Sequence, residues 1–317
     1  MMWLWILLGV VLLLFLLTVV ACLYLAKASF TRDPHTEESH RSYREAMKNS
    51  GKAGWAERME EGEDAFDAAE KEDVFLTSYD GLKLHAFLLG ANDDTGKTAI
   101  LVHGYRSRAK FDYACIWRHY RQNGWRVLLI EQRAHGDSEG KHICFGVRER
   151  YDLRDWIRYV SDRFGEDGKI MLHGVSMGAA TVMMSQVLPE VNSRICAFVA
   201  DCGYVSPGQQ FRHIFRQRHL PYFPMFAVAD VVTKLTCGFG FYEAKADEAL
   251  KNATCPAVFI HGTEDDFVLP ESSRINYDAC TSADKSLIWV PGAGHATSIY
   301  ADEHGYLSHL DELFAKI

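Results

Sequence analysis

Six short apolar runs, separated mostly by helix-length stretches, constrain the fold of this chain more than any other feature. The runs cover residues 98–102, 126–130, 169–172, 195–200, 257–260 and 287–290. Apolar runs of this length without polar alternation are typical of strands that are buried on both faces. The alternation with helices therefore predicts a mostly parallel sheet with helices on both sides.

An antiparallel hairpin precedes these runs. Residues 74–78 and 83–89 flank the turn Tyr79-Asp80-Gly81, and an Asp-Gly pair between two such segments is a strong hairpin signal. The hairpin brings the number of predicted strands to eight and adds an antiparallel edge to the sheet. We expect one α/β domain over residues 73–317.

Composition narrows the class of protein. The chain has 317 residues, 48% of them hydrophobic, which is enough for a core that needs no disulfide or metal. Its net charge of -8, without a basic cluster, argues against a nucleic-acid-binding protein. The eight cysteines form no C-x-x-C pair and several lie in apolar runs, so we expect buried free thiols in a reducing compartment. No cofactor and no metal site is expected.

The first 26 residues are almost wholly apolar and carry no charge, so the segment is long enough to span a bilayer. We predict a transmembrane anchor at residues 1–27. Basic residues follow the segment and none precedes it, which places the rest of the chain in the cytoplasm by the positive-inside rule. These are Lys27, Arg32, Arg41 and Arg44.

Two alternatives to a retained anchor stay open. Ala26-Lys27-Ala28 is similar to a signal-peptide cleavage site, and Val19-Val20-Ala21-Cys22 is similar to a lipoprotein box. In either case the domain would lie outside the cytoplasm.

The segment between anchor and domain, residues 28–72, is polar and rich in charge. Trp55, Met59 and Phe66 recur at helical spacing, which predicts a juxtamembrane helical linker that packs on the domain or on lipid headgroups. A helical linker with only a weak apolar stripe is the alternative.

A long insertion interrupts the strand–helix pattern between Asp201 and Pro256. A connection of this length inside a compact domain usually has its own structure. Because it follows the carboxyl end of a strand, we expect a small helical lid over residues 203–253 on the ligand side of the sheet. A plain pair of connecting helices is the alternative. The aromatic lid residues with which we expect substrate contact are Phe211, Phe215, Tyr222 and Phe226.

Residues 174–178, GVSMG, fit the pattern G-x-S-x-G. They follow an apolar run and precede residues 179–187, which are predicted to be helical. A tight strand-to-helix turn of this kind forces its middle residue into strained backbone angles and exposes that side chain at the edge of the sheet. We therefore predict that Ser176 is a nucleophile.

A serine hydroxyl needs a base and an acid that orients the base. In proteins with this turn the chain order is serine, acid, histidine. His295 follows the last predicted strand, and Asp265 follows the strand before it. We predict the triad Ser176, Asp265 and His295, with Asp266 and Asp201 as alternative acids.

Four motifs surround these residues. They are HGY at 103–105, RAHGDSEG at 133–140, GVSMG at 174–178, and HGTEDDFV at 261–268 followed by GAGH at 292–295. With them, residues 73–317 resemble the α/β-hydrolase fold. The chain is similar in particular to the serine aminopeptidase, monoacylglycerol lipase and cinnamoyl-esterase-like branch, especially its bacterial membrane-anchored members. The resemblance implies an eight-stranded, mostly parallel sheet with a helical lid after strand six.

The resemblance also implies an oxyanion hole made by the backbone N–H groups of Tyr105 and Met177. Because the chain has HGY where many lipases have HGGG, we do not expect it to accept bulky tertiary-alcohol esters. His103, His135 and His261 each neighbour a glycine, and we interpret them as structural histidines that hydrogen-bond to loops.

The predicted function is that of a serine hydrolase for carboxylic esters with an acyl or aromatic portion, including lipid-derived ones. The partners we expect are a small-molecule ester and the membrane; the oligomeric state is not predicted. A serine peptidase or an acyl-thioester hydrolase would use the same triad. A membrane-anchored binding module that kept the fold is the alternative outside enzymes.

Overall fold

The computed structural model describes residues 1–317 as eight strands, fourteen α-helices and one short 3₁₀ helix. The strands are β1 (Glu72–Thr77), β2 (Lys83–Leu89), β3 (Lys97–Val102), β4 (Arg126–Ile130), β5 (Lys169–Val175), β6 (Ile195–Asp201), β7 (Ala257–Gly262) and β8 (Lys285–Val290).

The helices before β5 are α1 (Met2–Phe30), α2 (Thr36–Asn49), α3 (Ala53–Ala68), α4 (Ala109–Asp112), α5 (Trp117–Gln122) and α6 (Glu149–Phe164). Those after it are α7 (Met177–Ser185), α8 (Pro189–Asn192), α9 (Pro207–Gln217), α10 (Met225–Cys237), α11 (Ala246–Ala249), α12 (Glu271–Ala279), α13 (Ser298–Ala301) and α14 (Glu303–Phe314).

All eight strands form one sheet in the order β1-β2-β4-β3-β5-β6-β7-β8. The β1–β2 and β2–β4 pairs are antiparallel, and the other five pairs are parallel. The predicted fold class, with its antiparallel hairpin at the edge of a mostly parallel sheet, is therefore confirmed.

The order of the strands creates a crevice at the centre of the sheet. The chain runs outward in one direction from β3 to β4 and in the other direction from β5 onward. Val102 at the end of β3 lies opposite Gly174 near the end of β5. The loops that follow these two strands therefore start side by side, at the kind of switch point where α/β sheets bind ligands.

Helices cover both faces of the sheet, because alternate residues of each strand point to opposite sides. In β3, Ile100 and Val102 face a core that includes α6 and α7, whereas Ala99 and Leu101 face a second core with α3, α5 and α14. All four side chains are fully buried. Burial on both faces explains why the strand sequence is apolar throughout.

The N-terminal helix α1 has two different parts. From Met2 to Leu17 its side chains are exposed, and the helix is long and apolar enough to cross a membrane. Its last turns instead pack on α10, and Cys22, Ala26 and Phe30 are at most 5% exposed. The end of α1 is thus an integral part of the folded domain.

The polar segment after α1 forms α2 and α3, which pack on each other and on the domain. Met59 and Phe66 are buried and Trp55 is half-buried, on the face that the helical spacing predicted. Glu63 accepts hydrogen bonds of 2.7 Å from His40 and from Arg44, which tie the two helices together.

The long insertion between β6 and β7 contains α9, α10, α11 and a 3₁₀ turn at Leu250–Asn252. Ser206 caps the first of these helices, where its side chain accepts from the amide of Gln209, and Pro207 occupies the first turn. The insertion lies beside the carboxyl end of the sheet and packs against the end of α1.

Candidate active site

Ser176 occupies the turn between β5 and α7 in a strained conformation, with φ 55° and ψ −115°. The two glycines that flank it are required by the close approach of neighbouring backbone. A Cβ on Gly174 would lie 2.4 Å from the carbonyl carbon of Gly178, and a Cβ on Gly178 would lie 1.8 Å from the carbonyl oxygen of Val102. Only glycine fits at positions 174 and 178 of this turn, which explains the pattern G-x-S-x-G.

The structure brings the three predicted triad residues together. The hydroxyl oxygen of Ser176 lies 2.8 Å from Nε2 of His295. Nδ1 of the same ring lies 2.8 Å from Oδ2 of Asp265. Because a carboxylate can only accept, Nδ1 carries the proton, and Nε2 is left to accept the proton of the serine hydroxyl.

Asp265 is buried and its carboxylate is fully hydrogen-bonded. Oδ1 accepts from the amides of Phe267 and Val268 at 3.0 and 2.9 Å, and Oδ2 also lies 3.1 Å from Nε2 of His261. Burial alone would raise the pKa of Asp265, but the hydrogen bonds from His261 and His295 hold it well below its usual range. The carboxylate therefore stays ionised at neutral pH.

The two alternative acids make other contacts. Asp201 is buried at the end of β6, where its carboxylate accepts from the hydroxyls of Ser298 and Tyr306 at 3.3 and 3.1 Å. Burial raises the pKa of Asp201 to about 6. Asp266 has an exposed side chain, and its carbonyl oxygen accepts from the ring of His213. Neither carboxylate is hydrogen-bonded to His295.

The two amides that we expected to form an oxyanion hole have no partner in the chain. The amides of Tyr105 and Met177 donate no hydrogen bond, whereas the amide of Gly104 donates to Oδ2 of Asp112 at 2.6 Å. The loop after β3 lies against the nucleophile, since a Cβ on Gly104 would be 3.4 Å from Cβ of Ser176. Two unpaired donors next to a serine can stabilise negative charge on a bound oxygen.

His103 and His135 hold the loops around this site. His103 donates from Nδ1 to the carbonyl of Gly104 at 2.7 Å and accepts at Nε2 from the amide of Gln132 at 3.0 Å. His135 accepts at Nε2 from the amide of Arg106 at 3.0 Å. Burial lowers the pKa of His135 to about 3, so the ring is neutral and can accept.

Two cavities meet at Ser176. The first, of about 730 Å³, we name the α2 cavity because Ser39, His40, Tyr43, Ala46 and Met47 of α2 line it. It also contains His295, and half of its 24 lining residues are hydrophobic.

The second cavity, of about 480 Å³, we name the α1 cavity because the last turns of α1 line it together with the lid. Fifteen of its 22 lining residues are hydrophobic, and it contains Tyr105. The nucleophile therefore opens on one side to a mixed polar surface and on the other side to an apolar one.

The four aromatic lid residues fall into two groups. Phe211 and Phe215 line the α1 cavity beside Ser176. Tyr222 and Phe226 lie behind them, stacked on each other with ring centroids 4.9 Å apart. Direct contact with a substrate stays a prediction for all four.

Three features of the site were not predicted from the sequence. The sequence did not predict that α2 lines the site, that Asp112 fixes the loop after β3, or that His261 contacts the acid. Asp112 carries no local signal, because its role depends on a contact with Gly104 that only the fold creates. His261 lies in the H-G-x-x-D segment, where its position four residues before Asp265 was the available signal.

The sheet topology and the hydrogen-bonded residues Ser176, His295 and Asp265 define the class of protein as an α/β hydrolase. The chain belongs to the alpha/beta hydrolase family, whose model matches residues 99–307.

Among curated proteins, the chain is 26% identical over 252 residues to the uncharacterized protein YqkD of Bacillus subtilis, covering 78% of this chain and 81% of that protein. It is 24% identical over 235 residues to the uncharacterized membrane protein YNL320W of Saccharomyces cerevisiae, covering 73% and 75% respectively.

Among solved structures, the esterase Pf2001 of Pyrococcus furiosus superposes with a TM-score of 0.63 at 24% identity, covering 78% of this chain and 92% of that one. Est1E of Butyrivibrio proteoclasticus with bound ferulic acid gives a TM-score of 0.58 at 17% identity, covering 76% and 99%. At these identities the likeness is one of fold.

Proposed function

We propose that the protein is a serine hydrolase that cleaves carboxylic esters, with Ser176 as nucleophile, His295 as general base and acid, and Asp265 as the group that orients His295. The observation that carries the proposal is the continuous chain of two 2.8 Å hydrogen bonds from the serine hydroxyl through the imidazole to the carboxylate. A binding module would have no need of a strained serine at the end of such a chain.

In the first half of the reaction the hydroxyl oxygen of Ser176 attacks the ester carbonyl while Nε2 of His295 takes the hydroxyl proton. The carbonyl oxygen becomes negative and accepts from the amides of Tyr105 and Met177. Each donor of this kind contributes about 100- to 1,000-fold to the rate. The ionised Asp265 stabilises the positive charge that forms on the ring.

In the second half, His295 passes its proton to the leaving alcohol, and the acyl group stays on Ser176. Water then attacks the acyl carbonyl while His295 removes its proton. The second tetrahedral intermediate collapses, His295 returns that proton to the oxygen of Ser176, and the acid is released. The fold accommodates esters, amides and thioesters alike. The esterases among the structural neighbours favour the ester.

We further infer that α1 is retained as a membrane anchor, with the domain on the cytoplasmic side. Cleavage after Ala28 would remove Cys22 and Ala26 from the core of the folded domain, where they are 1% and 5% exposed. A curated relative described as a membrane protein supports the anchor. Fusion of a cytoplasm-specific and a periplasm-specific reporter to the C-terminus tests the orientation, and activity of the second reporter alone would overturn it.

Labelling with a fluorophosphonate probe, together with turnover of p-nitrophenyl acetate, tests the catalytic assignment. We expect the wild type to be labelled and active, and Ser176→Ala to lose labelling and at least 1,000-fold of kcat, on the order of the losses seen when a triad member is removed. Ser185→Ala is the matched control, because this serine is buried at the end of the helix that follows Ser176 and its hydroxyl bonds only to the carbonyl of Val182. Retained turnover in Ser176→Ala would rule out Ser176 as the nucleophile.

A parallel panel of aminoacyl amides and acyl-thioesters separates the three classes of hydrolase, which cleave esters, amides or thioesters.

A further inference from the structure

We propose that the last turns of α1 are a specificity-determining part of the active site, forming one wall of a subsite for the acyl chain of the substrate. The inference rests on the proposed ester hydrolysis at Ser176 and goes beyond it. The family model matches residues 99–307, so α1 lies outside it. The inference assigns this helix a direct contact with the substrate.

The position of His295 fixes the orientation of a bound ester. The leaving oxygen has to come within hydrogen-bond reach of Nε2 of His295 to be protonated. His295 lines the α2 cavity and does not line the α1 cavity. The alcohol therefore leaves through the α2 cavity, and the acyl portion extends from Ser176 into the α1 cavity.

The walls of the α1 cavity match the chemistry of an alkyl chain. Phe30 of α1 packs edge-on against Phe145 and Phe211, with ring centroids 5.5 and 5.3 Å apart. Gln210 is one of several polar residues in the lining, and its side chain is already occupied because its amide donates to the carbonyl of Phe267 at 2.6 Å. Burial of methylene groups against such walls is favourable by the hydrophobic effect.

The α2 cavity is more mixed, since half of its 24 lining residues are hydrophobic, compared with 15 of 22 in the α1 cavity. His40, Ser107 and Asp112 contribute polar atoms to its lining. Ser107 and Asp112 are hydrogen-bonded to each other, and His40 is hydrogen-bonded to Glu63. The substrate class that fits is an ester with one alkyl acyl chain in the α1 cavity and its alcohol portion in the larger α2 cavity.

The end of α1 is held firmly enough to act as a wall. The hydroxyl of Tyr105 donates to the carbonyl of Ser29 at 2.8 Å, and the guanidinium of Arg106 hydrogen-bonds to the carbonyl of Ala28. The amide of Ile143 donates to the carbonyl of Phe30 at 2.7 Å. The first two of these contacts join α1 directly to the loop that carries the Tyr105 amide.

The same helix continues from this wall into the exposed apolar segment that precedes it. Leu25 lines the cavity, and Leu17 lies eight residues earlier, about 12 Å along the helix at 1.5 Å per residue. On the neighbouring α10, Val231 and Leu235 are 57% and 81% exposed. The apolar side of the substrate site thus lies next to the surface that would meet a bilayer, where an acyl ester would reside.

Two leucine substitutions on α1 form a matched test. Leu25→Trp places an indole in the cavity, whereas Leu23→Trp places it on the exposed side of the helix, where Leu23 is 43% exposed. Each full-length variant is reconstituted in phospholipid nanodiscs and assayed with p-nitrophenyl acetate and p-nitrophenyl decanoate. For each ester, kcat/KM is divided by the wild-type value, which removes the effect of partitioning into the lipid.

We expect Leu25→Trp to lower kcat/KM for the decanoate at least tenfold and to leave the acetate within twofold of wild type. Leu23→Trp should leave both esters within twofold. Equal losses for acetate and decanoate in Leu25→Trp, or no loss for either, would overturn the acyl-chain subsite. Failure of the wild type to hydrolyse any ester would instead contradict the proposed function, so the two outcomes are distinguishable.

Discussion

Nε2 of His261 lies 3.1 Å from Oδ2 of Asp265, the carboxylate oxygen that also faces His295. The same nitrogen lies 2.9 Å from the carbonyl oxygen of Val268. Since both neighbours are acceptors, Nε2 carries a proton, and Nδ1 lies 2.6 Å from the hydroxyl oxygen of Ser273. A buried histidine therefore fixes the oxygen that orients the proposed base.

Removal of this donor should weaken catalysis through the position of Asp265. A hydrogen bond to a charged group contributes about 1.5–3 kcal/mol, so we expect His261→Phe to lower kcat about 10- to 100-fold. His261→Gln keeps a donor and should recover part of the loss. Measurement of kcat and of the thermal midpoint for both variants checks this. Equal kcat in His261→Phe and wild type would contradict the positioning role.

The neighbouring residues Asp265 and Asp266 form a matched pair of variants that tests which carboxylate orients His295. Asp265→Asn should reduce kcat about 10⁴-fold, because an amide in place of the carboxylate favours the wrong tautomer of His295. Asp266→Asn should keep kcat within twofold, because its side chain is exposed and does not contact the ring. Steady-state turnover of p-nitrophenyl acetate measures both. A larger loss of kcat in Asp266→Asn than in Asp265→Asn would show that Asp266 is the carboxylate that orients His295.

The sequence predicted the sheet and the Ser176 turn well, because both depend on local patterns. A fully buried strand such as β3 is apolar at nearly every position, and the Ser176 turn requires glycine at both flanking positions for steric reasons. The contact of His295 with Asp265 was predictable too, since both follow neighbouring parallel strands whose carboxyl ends meet at one edge.

What the sequence did not predict are contacts between segments far apart in the chain. Residues of α2 look like a solvated helix, and nothing in their spacing indicates that Met47 lies in the same cavity as Ser176. Likewise the end of α1, where Lys27 and Ser29 follow the apolar run, carries no pattern that indicates a place in the core of the domain. Only the aromatic side chains of the lid and of the loop at Phe145 determine that Phe30 is inserted among them.

Asp112 should be important for the oxyanion hole, although it touches no reacting group. Its carboxylate accepts from the amide of Gly104 and from the hydroxyl of Ser107, each at 2.6 Å, and so holds the loop that carries the amide of Tyr105. We expect Asp112→Ala to lower kcat at least tenfold. Complete loss of one oxyanion donor would lower kcat by about 100-fold or more. The KM for p-nitrophenyl acetate should change less than kcat. The exposed Asp94→Ala serves as a control, and a change confined to KM would contradict this role.

Two glycines differ in what they tolerate, and this difference tests the Ser176 turn. A Cβ on Gly178 would lie 1.8 Å from the carbonyl oxygen of Val102, whereas the nearest atom to a Cβ on Gly240 is 3.6 Å away. Gly178→Ala must displace backbone at the junction of α7 and β3, so we expect loss of activity and a lower thermal midpoint. Gly240→Ala should remain within about 0.5 kcal/mol of wild type in stability. An active, stable Gly178→Ala would contradict the close approach described for this turn.

The buried carboxyl of Asp201 should make stability depend on pH in a way that its amide variant does not. Burial raises the pKa of Asp201 from 3.8 to about 6, so folding disfavours the ionised form. The ionised carboxyl therefore lowers the free energy of unfolding. This effect is absent below pH 3.8, increases up to about pH 6, and above that pH reaches its full size, on the order of 3 kcal/mol. We expect the free energy of unfolding of Asp201→Asn, relative to wild type, to rise between pH 4 and about pH 7. Urea denaturation at both pH values measures the difference, with the exposed Asp266→Asn as the control that should show none. A constant difference for Asp201→Asn would show that its carboxyl has the same affinity for protons in the folded and unfolded chains.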